Sequence, residues 1–372
     1  MKKSLVALAA LAATGAFAQS SVTLYGVMDI GYKAQTYKDA GVTTVKANGV
    51  ADGAVAGPRF GFRGTEDLGG GLKANFVIEQ GISPTSSQLT NYRTATSAPQ
   101  IDTTAAGATT GRSATSLNRQ SWVGLSGKFG EVRAGYQYTN LYELSTLSGF
   151  NAGSEGTNGA DSAHTYGNAA VGGTRANGLT YITPAFGGFS AQLQYGAATS
   201  LDTFESKNAA DTQVHAKRTG ILANYNAGAL SVKVAYTEYK NGTAAGNTAI
   251  VDKTGKLTQV GARYDFGMLA LTGTYNDGKN GDAGAAAREY QAYQLGVTVP
   301  VGAFKLIATT GKAETTNSVG AKTEDLKQAQ FAVQYALSKR TTAYFYSGQT
   351  KDAATGGVDK KSSNILGVIH TF

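Results

Sequence analysis

Three arginines in this sequence lie on the polar side of alternating segments, where a fixed positive charge could attract an anion. In the segment 58–70, Arg59 and Arg63 share one face at a period of two, and Phe60 and Phe62 share the opposite face. Arg133 holds the same position in a later alternating segment. A guanidinium is permanently charged and carries five N–H donors. These side chains can therefore attract anions, or they can serve only as ion-pair partners for neighbouring carboxylates.

The residue types give little support to other chemistry. The chain has no cysteine, which excludes thiol nucleophiles and cysteine-ligated metal sites. His164, His215 and His370 are far apart, and we predict no metal site and no cofactor. The glycines after Asp67 lack the Gly-Lys-Ser/Thr of a phosphate-binding loop, so we expect a turn there. No Gly-x-Ser-x-Gly motif presents a serine nucleophile, and we predict that the protein is not an enzyme.

Alternating segments of about ten residues recur along the chain and predict β-strands whose two faces meet different surroundings. In the segment 188–197, for example, Phe189, Leu193 and Tyr195 alternate with Gln192 and Gln194. A dry core would reject the Gln, Lys, Arg and Asn side chains that occupy the polar faces of these segments. One face therefore meets an apolar phase, and the other face meets water.

The connections between these segments alternate between short and long. The short ones are 67–70, 127–130, 184–188, 227–228, 266–267, 300–302 and 338–340, and the long ones are about 35–57, 82–117, 138–174, 197–216, 240–256, 277–288, 314–325 and 351–360. This asymmetry is typical of membrane barrels with short periplasmic turns and long external loops. We predict an all-β fold, a 16-stranded antiparallel transmembrane β-barrel, with strands from 21–34 to 361–372. An even number of strands lets the last strand pair with the first.

The first 18 residues have the pattern of a secretory signal peptide. Lys2 and Lys3 precede an apolar run, and a small-residue cleavage site ends at Ala18. We expect residues 19–372 to form one barrel domain that is exported to the Gram-negative outer membrane. Loss of the two lysines lowers the formal charge from +8 to +6. This charge is dispersed and not interleaved with aromatic residues, so we predict no nucleic-acid partner.

Several blocks of the chain together resemble the general porins of Gram-negative outer membranes, in particular the neisserial and betaproteobacterial branch. The blocks are SVTLYGVMDIGY (21–32), PRFGFRGTEDLGGGLKANFVIEQG (58–81), NRQSWVGLSGKFGEVRAGYQY (118–138), RANGLTYITPAFGGFSAQLQY (175–195) and GVIHTF (367–372). The resemblance implies a homotrimer of sixteen-stranded barrels whose third external loop folds inward. It also implies that the barrel-assembly machinery recognises the terminal Phe372.

The resemblance places further basic residues on the pore wall, at Arg119 and Arg175. Strict alternation does not support this, since it groups Arg119 with outward residues of its strand and Arg175 with Leu179. A bulge, or a position above the lipid band, is needed. Arg63, which shares a face with Arg59, is also expected to face the lumen. Our hypothesis is that a basic ladder faces acidic residues of an inward loop at about 139–174; the ladder is Arg59, Arg119, Arg133 and Arg175, and the acidic residues are Glu143, Glu155 and Asp161.

These features predict a passive channel for small hydrophilic solutes and ions, with a preference for inorganic and organic anions. We expect its partners to be outer-membrane lipid, two further copies of the chain and the barrel-assembly machinery, with the loop at about 82–117 latching onto a neighbouring copy. Two alternatives are an outer-membrane barrel enzyme and a secreted glycine-rich β-solenoid adhesin. The first needs a catalytic constellation that we do not find, and the second needs a short fixed repeat that we do not find.

Overall fold

The computed structural model describes ten stretches of the chain, and one short helix lies among their strands. The stretches are residues 21–39, 42–52, 55–85, 119–147, 175–197, 205–207, 213–243, 251–281, 287–354 and 360–372. The predicted signal peptide and the acidic residues Glu155 and Asp161 lie outside them. The elements in chain order are β1 Ser21–Asp39, β2 Val42–Asp52, β3 Arg59–Gly69, β4 Leu72–Gly81, β5 Gln120–Gly127, β6 Gly130–Tyr138, α1 Asn140–Ser145, β7 Arg175–Ile182, β8 Phe189–Ala197, β9 Glu205–Lys207, β10 Gln213–Ala227, β11 Leu230–Thr243, β12 Val251–Asp265, β13 Ala270–Gly281, β14 Arg288–Val301, β15 Phe304–Asn317, β16 Lys322–Ala336, β17 Thr341–Asp352 and β18 Lys360–Thr371.

The strands form one closed antiparallel ring. Each wall strand pairs with its neighbours in the chain, and β1 pairs with β18 from Val27↔Thr371 to Lys38↔Lys360, which closes the ring. Strands β2 and β3 pair with successive parts of β1, and β9 and β8 pair with successive parts of β10. Each of these pairs counts as one interrupted wall strand, so the ring has sixteen strands, as predicted.

The predicted short connections are confirmed as tight turns on one side of the barrel. Glycines with positive φ lie in or beside six of these turns, for example Gly228 at 55° and Gly302 at 59°. This left-handed conformation is open to glycine but strained for most other residues. The glycines after Asp67 form the turn between β3 and β4, where the backbone N–H of Gly69 donates to the Asp67 side chain.

Several predicted external loops are shorter than expected because the strands continue into them. The connection at 35–57 is mostly strand, since β1 runs to Asp39 and β2 begins at Val42. The strands likewise extend into the predicted connections at 240–256, 277–288 and 314–325. The alternation weakens there because both faces of a strand that extends beyond the lipid meet water, so neither face has to be apolar.

The outward face of the ring is apolar and the inward face is polar. Outward side chains such as Leu295, Phe331 and Leu366 are 58%, 42% and 67% exposed. Glutamine, asparagine and threonine side chains alternate with them on the inward face, including Gln192, Thr272, Asn276, Gln294, Gln328, Gln330 and Gln334. This pattern is the one predicted for strands between lipid and water. Among the residues that the structure describes, no helix is both long and apolar enough to cross a membrane.

The helix α1 follows β6 and lies inside the ring. Leu144 is fully buried against Leu222 and Ala235, which are on the inward face of β10 and β11. The hydroxyl of Thr272 on β13 donates to the backbone oxygen of Leu147, just beyond the helix. The start of the predicted inward loop at 139–174 is thus directed into the barrel, while residues 148–174 lie outside the described part of the chain.

A buried carboxylate anchors the segment between β2 and β3 to the interior wall. Oδ2 of Asp29 accepts hydrogen bonds from the backbone N–H groups of Val55 and Ala56, both at 2.7 Å. Oδ1 accepts a hydrogen bond from the Tyr344 hydroxyl at 2.6 Å. Gly367 makes room for this contact, since a Cβ at that position would lie 2.4 Å from the Tyr344 oxygen. Asp29 thereby joins β1, β17 and the β2–β3 segment.

We predict that Asp29→Ala lowers the free energy of unfolding by at least about 2 kcal/mol. It leaves two backbone donors and a phenol without a partner, and each buried unsatisfied group costs about 1–3 kcal/mol. Tyr344→Phe removes one hydrogen bond and is expected to cost only about 0.5–1.5 kcal/mol. Urea unfolding in detergent, followed by fluorescence of the single tryptophan, Trp122, measures both effects. Ser347→Ala on the outward face of β17 is the control, and wild-type stability of Asp29→Ala would contradict the anchor.

Candidate functional site

Glu79 on β4 lies at the centre of a group of side chains on the inward face. Its Oε1 accepts hydrogen bonds from Nε of Arg119 at 2.7 Å and from the Tyr138 hydroxyl at 3.2 Å. Its Oε2 accepts a hydrogen bond from the Tyr25 hydroxyl at 3.0 Å and lies 3.4 Å from Nε of Arg59. Glu79 and Arg119 are both buried. Two arginines and two tyrosines therefore saturate a single carboxylate.

Tyr138 connects a third arginine to this group. Its hydroxyl accepts hydrogen bonds from Nη2 of Arg119 at 2.8 Å and from Nη2 of Arg175 at 3.4 Å. The Arg175 guanidinium also lies over the Tyr138 ring, 4.7 Å from its centroid, in a cation–π contact. We call Tyr25, Arg59, Glu79, Arg119, Tyr138 and Arg175 the Glu79 cluster. Its three arginines and one carboxylate give it a formal charge of +2.

The strand register explains how these side chains meet. Tyr25, Gly61, Glu79 and Gln120 are direct cross-strand partners on β1, β3, β4 and β5. Gly61 is needed between Tyr25 and Glu79, because a Cβ there would lie 2.8 Å from the Tyr25 hydroxyl oxygen. Arg59 lies two residues before Gly61 and so shares the inward face.

Arg119 reaches the cluster because it precedes the regular part of β5. It lies in a bend, and its backbone N–H donates to the backbone oxygen of Glu79 at 3.3 Å. Strict alternation would place it with Val123 and Leu125, which are exposed on the outward face. The irregular backbone that the prediction required is therefore present, and it turns the side chain toward Glu79.

Arg175 deviates from alternation in a similar way. It is the first residue of β7 and pairs with Tyr138, the last residue of β6. Leu179, which alternation groups with it, is 51% exposed on the outward face, whereas Arg175 is buried against Tyr138. Alternation fails at both arginines because each lies at a strand end, where the pleat no longer controls the direction of the side chain.

Arg63 and Arg133 lie on the inward face, nearer the periplasmic turns. Arg63 pairs with Val77, one inward row below Glu79, and its guanidinium lies 5.3 Å from the Tyr25 ring centroid. Arg133 lies one inward row lower still, where Nη2 contacts Glu131 at 2.9 Å and the guanidinium lies 4.4 Å from the Trp122 ring. Arg133 is thus neutralised locally and is separate from the Glu79 cluster.

The helix α1 begins next to the cluster and carries Glu143. Tyr142 stacks on Tyr138 with ring centroids 3.7 Å apart, so the helix begins directly beside the arginines. Burial raises the pKa of the Tyr142 phenol above its ordinary value, and the ring stays neutral at physiological pH. The backbone oxygen of Glu143 accepts a hydrogen bond from Nζ of Lys233 on β11 at 2.7 Å. The helix therefore extends from the cluster to the wall formed by β10 to β12.

The sequence reasoning missed Glu79, Tyr25, Tyr138 and Lys233. Alternation along the segment 71–81 places Glu79 on the polar face with Lys73 and Asn75, but it does not assign Glu79 to the site. The short turn after Asp67 could have revealed it, because a tight hairpin brings the inward residues of β4 opposite Gly61 and its neighbours. Tyr138 gave no such signal because it lies at the end of β6, where the pleat no longer controls the direction of the side chain. Lys233 gave none because its contact depends on the inward course of the chain after β6.

Metal binding has no support in the described part of the chain. No group of three or more potential metal ligands occurs there. His370 faces outward on β18, and its Nδ1 is hydrogen-bonded to the Thr341 hydroxyl at 2.8 Å.

Comparison with known proteins agrees with this architecture. The family model of Gram-negative porins matches residues 4–355. Outer membrane porin protein 32 of Delftia acidovorans is 34% identical over 381 aligned residues, covering 99% of this chain and 95% of that protein. Major outer membrane protein P.IB of Neisseria gonorrhoeae is 37% identical over 198 residues, covering 52% of this chain and 48% of that protein.

Solved structures show the same fold. The anion-selective porin from Comamonas acidovorans superposes with a TM-score of 0.72 at 26% identity, covering 95% of this chain and 100% of that one. The trimer form of OmpT from Vibrio cholerae has a TM-score of 0.67 at 14% identity, covering 95% and 99% of the two chains, a likeness of fold alone. With a closed sixteen-stranded barrel, a polar interior and a family match over most of its length, this chain belongs to the Gram-negative porins of the outer membrane.

Proposed function

We propose that this porin is a passive diffusion channel for small hydrophilic solutes that prefers anions. The observation that carries the proposal is the Glu79 cluster, which holds three arginines and only one carboxylate on the inward face. The hydrogen bonds to Glu79 and Tyr138 hold these guanidinium groups in place, so their excess positive charge is fixed. Positive side chains that line a channel favour anions. The similarity to a structure described as an anion-selective porin supports the same preference.

The inward helix supports a constriction at the level of the cluster. Because α1 begins two residues after Tyr138 and packs on β10 to β12, it extends from the cluster to a different part of the wall from the strands that carry Arg59 and Glu79. We infer that Glu143, with Glu155 and Asp161 farther along the loop, faces a ladder of Arg59, Arg119 and Arg175, which continues to Arg133 two inward rows below Glu79. Opposite charges across a narrow, low-dielectric passage would produce a transverse field that orients dipolar solutes. Arg63 would add positive charge below the constriction.

We also propose the assembly that the resemblance implies. Residues 1–18 would be removed on export, and residues 19–372 would form a homotrimer in which each protomer has its own pore. The loop at about 82–117 would latch onto a neighbouring protomer. Phe372 would serve as the signal that the barrel-assembly machinery recognises.

Ion selectivity tests the proposed function. In planar bilayers under a KCl gradient, the reversal potential of the wild-type channel should have the sign of chloride preference, and cation preference would contradict the proposal. Liposomes that contain the protein should swell in small sugars, whereas a barrel enzyme without an open lumen would not admit them.

Neutral substitutions in the cluster should shift this selectivity toward cations. At about 8 Å from a permeating ion, one charge changes its energy by about 0.5 kcal/mol in bulk water, or about twofold in permeability ratio. We expect a change of at least that size for Arg59→Gln and for Arg175→Gln. Glu79→Gln should shift selectivity toward anions, provided that the arginines keep their positions. Lys279→Gln on the outward face is the control and should leave the ratio unchanged.

The oligomeric state can be read from unboiled gels. The protein extracted in mild detergent should migrate as a heat-resistant trimer and convert to monomers on boiling. Removal of part of the loop at 82–117 should lower the temperature of this conversion, because the proposed contact with the neighbouring protomer is lost. A wild-type protein that is monomeric in mild detergent would contradict the trimer.

Phe372→Ser should lower the amount of folded protein in the outer membrane. The Phe372 backbone exchanges two hydrogen bonds with Gly26, at 3.0 and 3.1 Å, and its ring occupies the space over Gly26. Refolding in detergent, where no machinery is present, separates recognition from packing. Normal refolding with poor assembly in cells supports a recognition signal, whereas equal failure in both would assign Phe372 a packing role only. Phe304→Ser is the matched control on the outward face.

A further inference from the structure

Five lysines are direct cross-strand neighbours along one row of the barrel. The register pairs Lys312 with Lys327, Lys327 with Lys351, Lys351 with Lys360 and Lys360 with Lys38. The row thus crosses β15, β16, β17, β18 and β1 without interruption. Directly opposed side chains in a sheet have Cβ atoms about 4.5–5.5 Å apart. We call these five residues the lysine row.

The lysine row is on the outward face, beyond the apolar band. Alternation along β16 and β17 places Lys327 and Lys351 on the same side as Phe331 and Phe345, which are 42% and 41% exposed. Lys312 pairs with Tyr293, an outward tyrosine at the loop side of the band.

The Lys38 end of the lysine row lies farther beyond the apolar band than the Lys312 end does. Lys38 follows Tyr32 by six residues on β1, roughly 20 Å along the strand. The outward residues between Tyr32 and Lys38 are Ala34 and Thr36, which are small or polar. The row therefore starts at the edge of the lipid and extends away from it.

Carboxylates balance only one end of this row. Nζ of Lys312 lies 2.6 Å from Glu314 and 3.5 Å from Asp325, and Lys322 also contacts Glu314. Within the described residues, no ion pair joins Lys351 or Lys360 to a carboxylate. Like charges that face each other directly across strands destabilise a sheet.

A neighbouring outward row shows a different arrangement. On β11 to β14 the register reads Glu238, Lys256, Lys279 and Glu289, so a glutamate flanks the two lysines on each side. Lys279 lies 2.6 Å from Glu289. Each lysine of this second row therefore has a glutamate as one cross-strand neighbour, whereas Lys327, Lys351 and Lys360 have only lysines.

We propose that the lysine row binds the phosphate groups of an anionic glycolipid in the outer leaflet. A lipid headgroup with several phosphates would supply the counter-charges that the protein lacks, and its acyl chains would lie on the apolar strands below. Lysine ammonium groups act as compact point charges for phosphate, and lysines near a membrane surface attract anionic headgroups. The rise of the row from the lipid edge fits a headgroup that carries anionic groups at more than one height. The inference rests on the membrane location, not on the proposed anion preference.

The test compares two triple variants of the full mature protein in detergent. Lys327→Gln with Lys351→Gln and Lys360→Gln removes the centre of the row, and Lys240→Gln with Lys256→Gln and Lys279→Gln is the matched control on β11 to β13. Bis-phosphorylated lipid A is titrated into each protein and bound lipid is counted by native mass spectrometry. We expect the row variant to weaken binding at least about tenfold and the control less than about twofold, since the interaction is electrostatic and depends on nearby lysines.

Further arms identify the ligand and exclude misfolding. Lipid A without phosphates should bind both proteins equally weakly, and inorganic pyrophosphate should not compete at equal concentration. Competition by pyrophosphate would indicate a free-anion site and overturn the lipid assignment. Lys→Arg at the same three positions should restore binding. If the row variant binds lipid A as tightly as the wild type and its heat-modifiable migration is unchanged, the proposal is contradicted. It is also contradicted if the row variant loses the trimer but still binds lipid A.

Discussion

The whole structure depends on satisfying every backbone hydrogen bond within the ring. Lipid offers no partner to a free N–H or C=O group, so a sheet that crosses a membrane has to close on itself. Here closure is carried by β1, which pairs with β18 over twelve residue pairs and with both β2 and β3 on its other edge. The last pairing, between Gly26 and Phe372, brings the final backbone groups into the ladder. The polar interior is possible only because this closure separates it from lipid.

Closure also determines where charge can be placed. Inward side chains on β3 to β7 are brought to one side of the lumen by register, and there the arginines share Glu79 and Tyr138. Outward charge is tolerated only beyond the apolar band, because a lysine or arginine at mid-bilayer costs roughly 2–4 kcal/mol. The barrel therefore carries hydrogen-bonded arginines on its inward face, at β3 to β7, and lysines on its outward face, at β15 to β18 and β1.

The sequence was sufficient for the features that follow from periodicity. Alternation in segments such as 188–197 predicts the two faces, and the short connections predict tight turns on one side of the barrel; both predictions are confirmed. Arg59 and Arg133 were placed correctly because they lie within regular strands. Arg119 and Arg175 depended on the resemblance, because each lies at a strand end where period two no longer applies. Glu79 was missed because its role arises from cross-strand neighbours, which a single segment does not show. The strand extensions beyond the membrane were missed because water on both faces removes the alternation that identifies a strand.

The two basic surfaces differ in how firmly their charges are held, and this difference suits different tasks. Arg119 and Arg175 are buried and bonded to Tyr138, so their guanidinium groups have little freedom and present a constant field to passing ions. In the lysine row, Lys327 and Lys351 are exposed and carry their ammonium groups on flexible stems, which can adjust to a headgroup of variable shape. A channel lining gains from fixed charge because a permeating ion has to enter and leave without reorganising the wall. A lipid contact gains from adjustable charge because the ligand stays bound and offers several anionic groups at once.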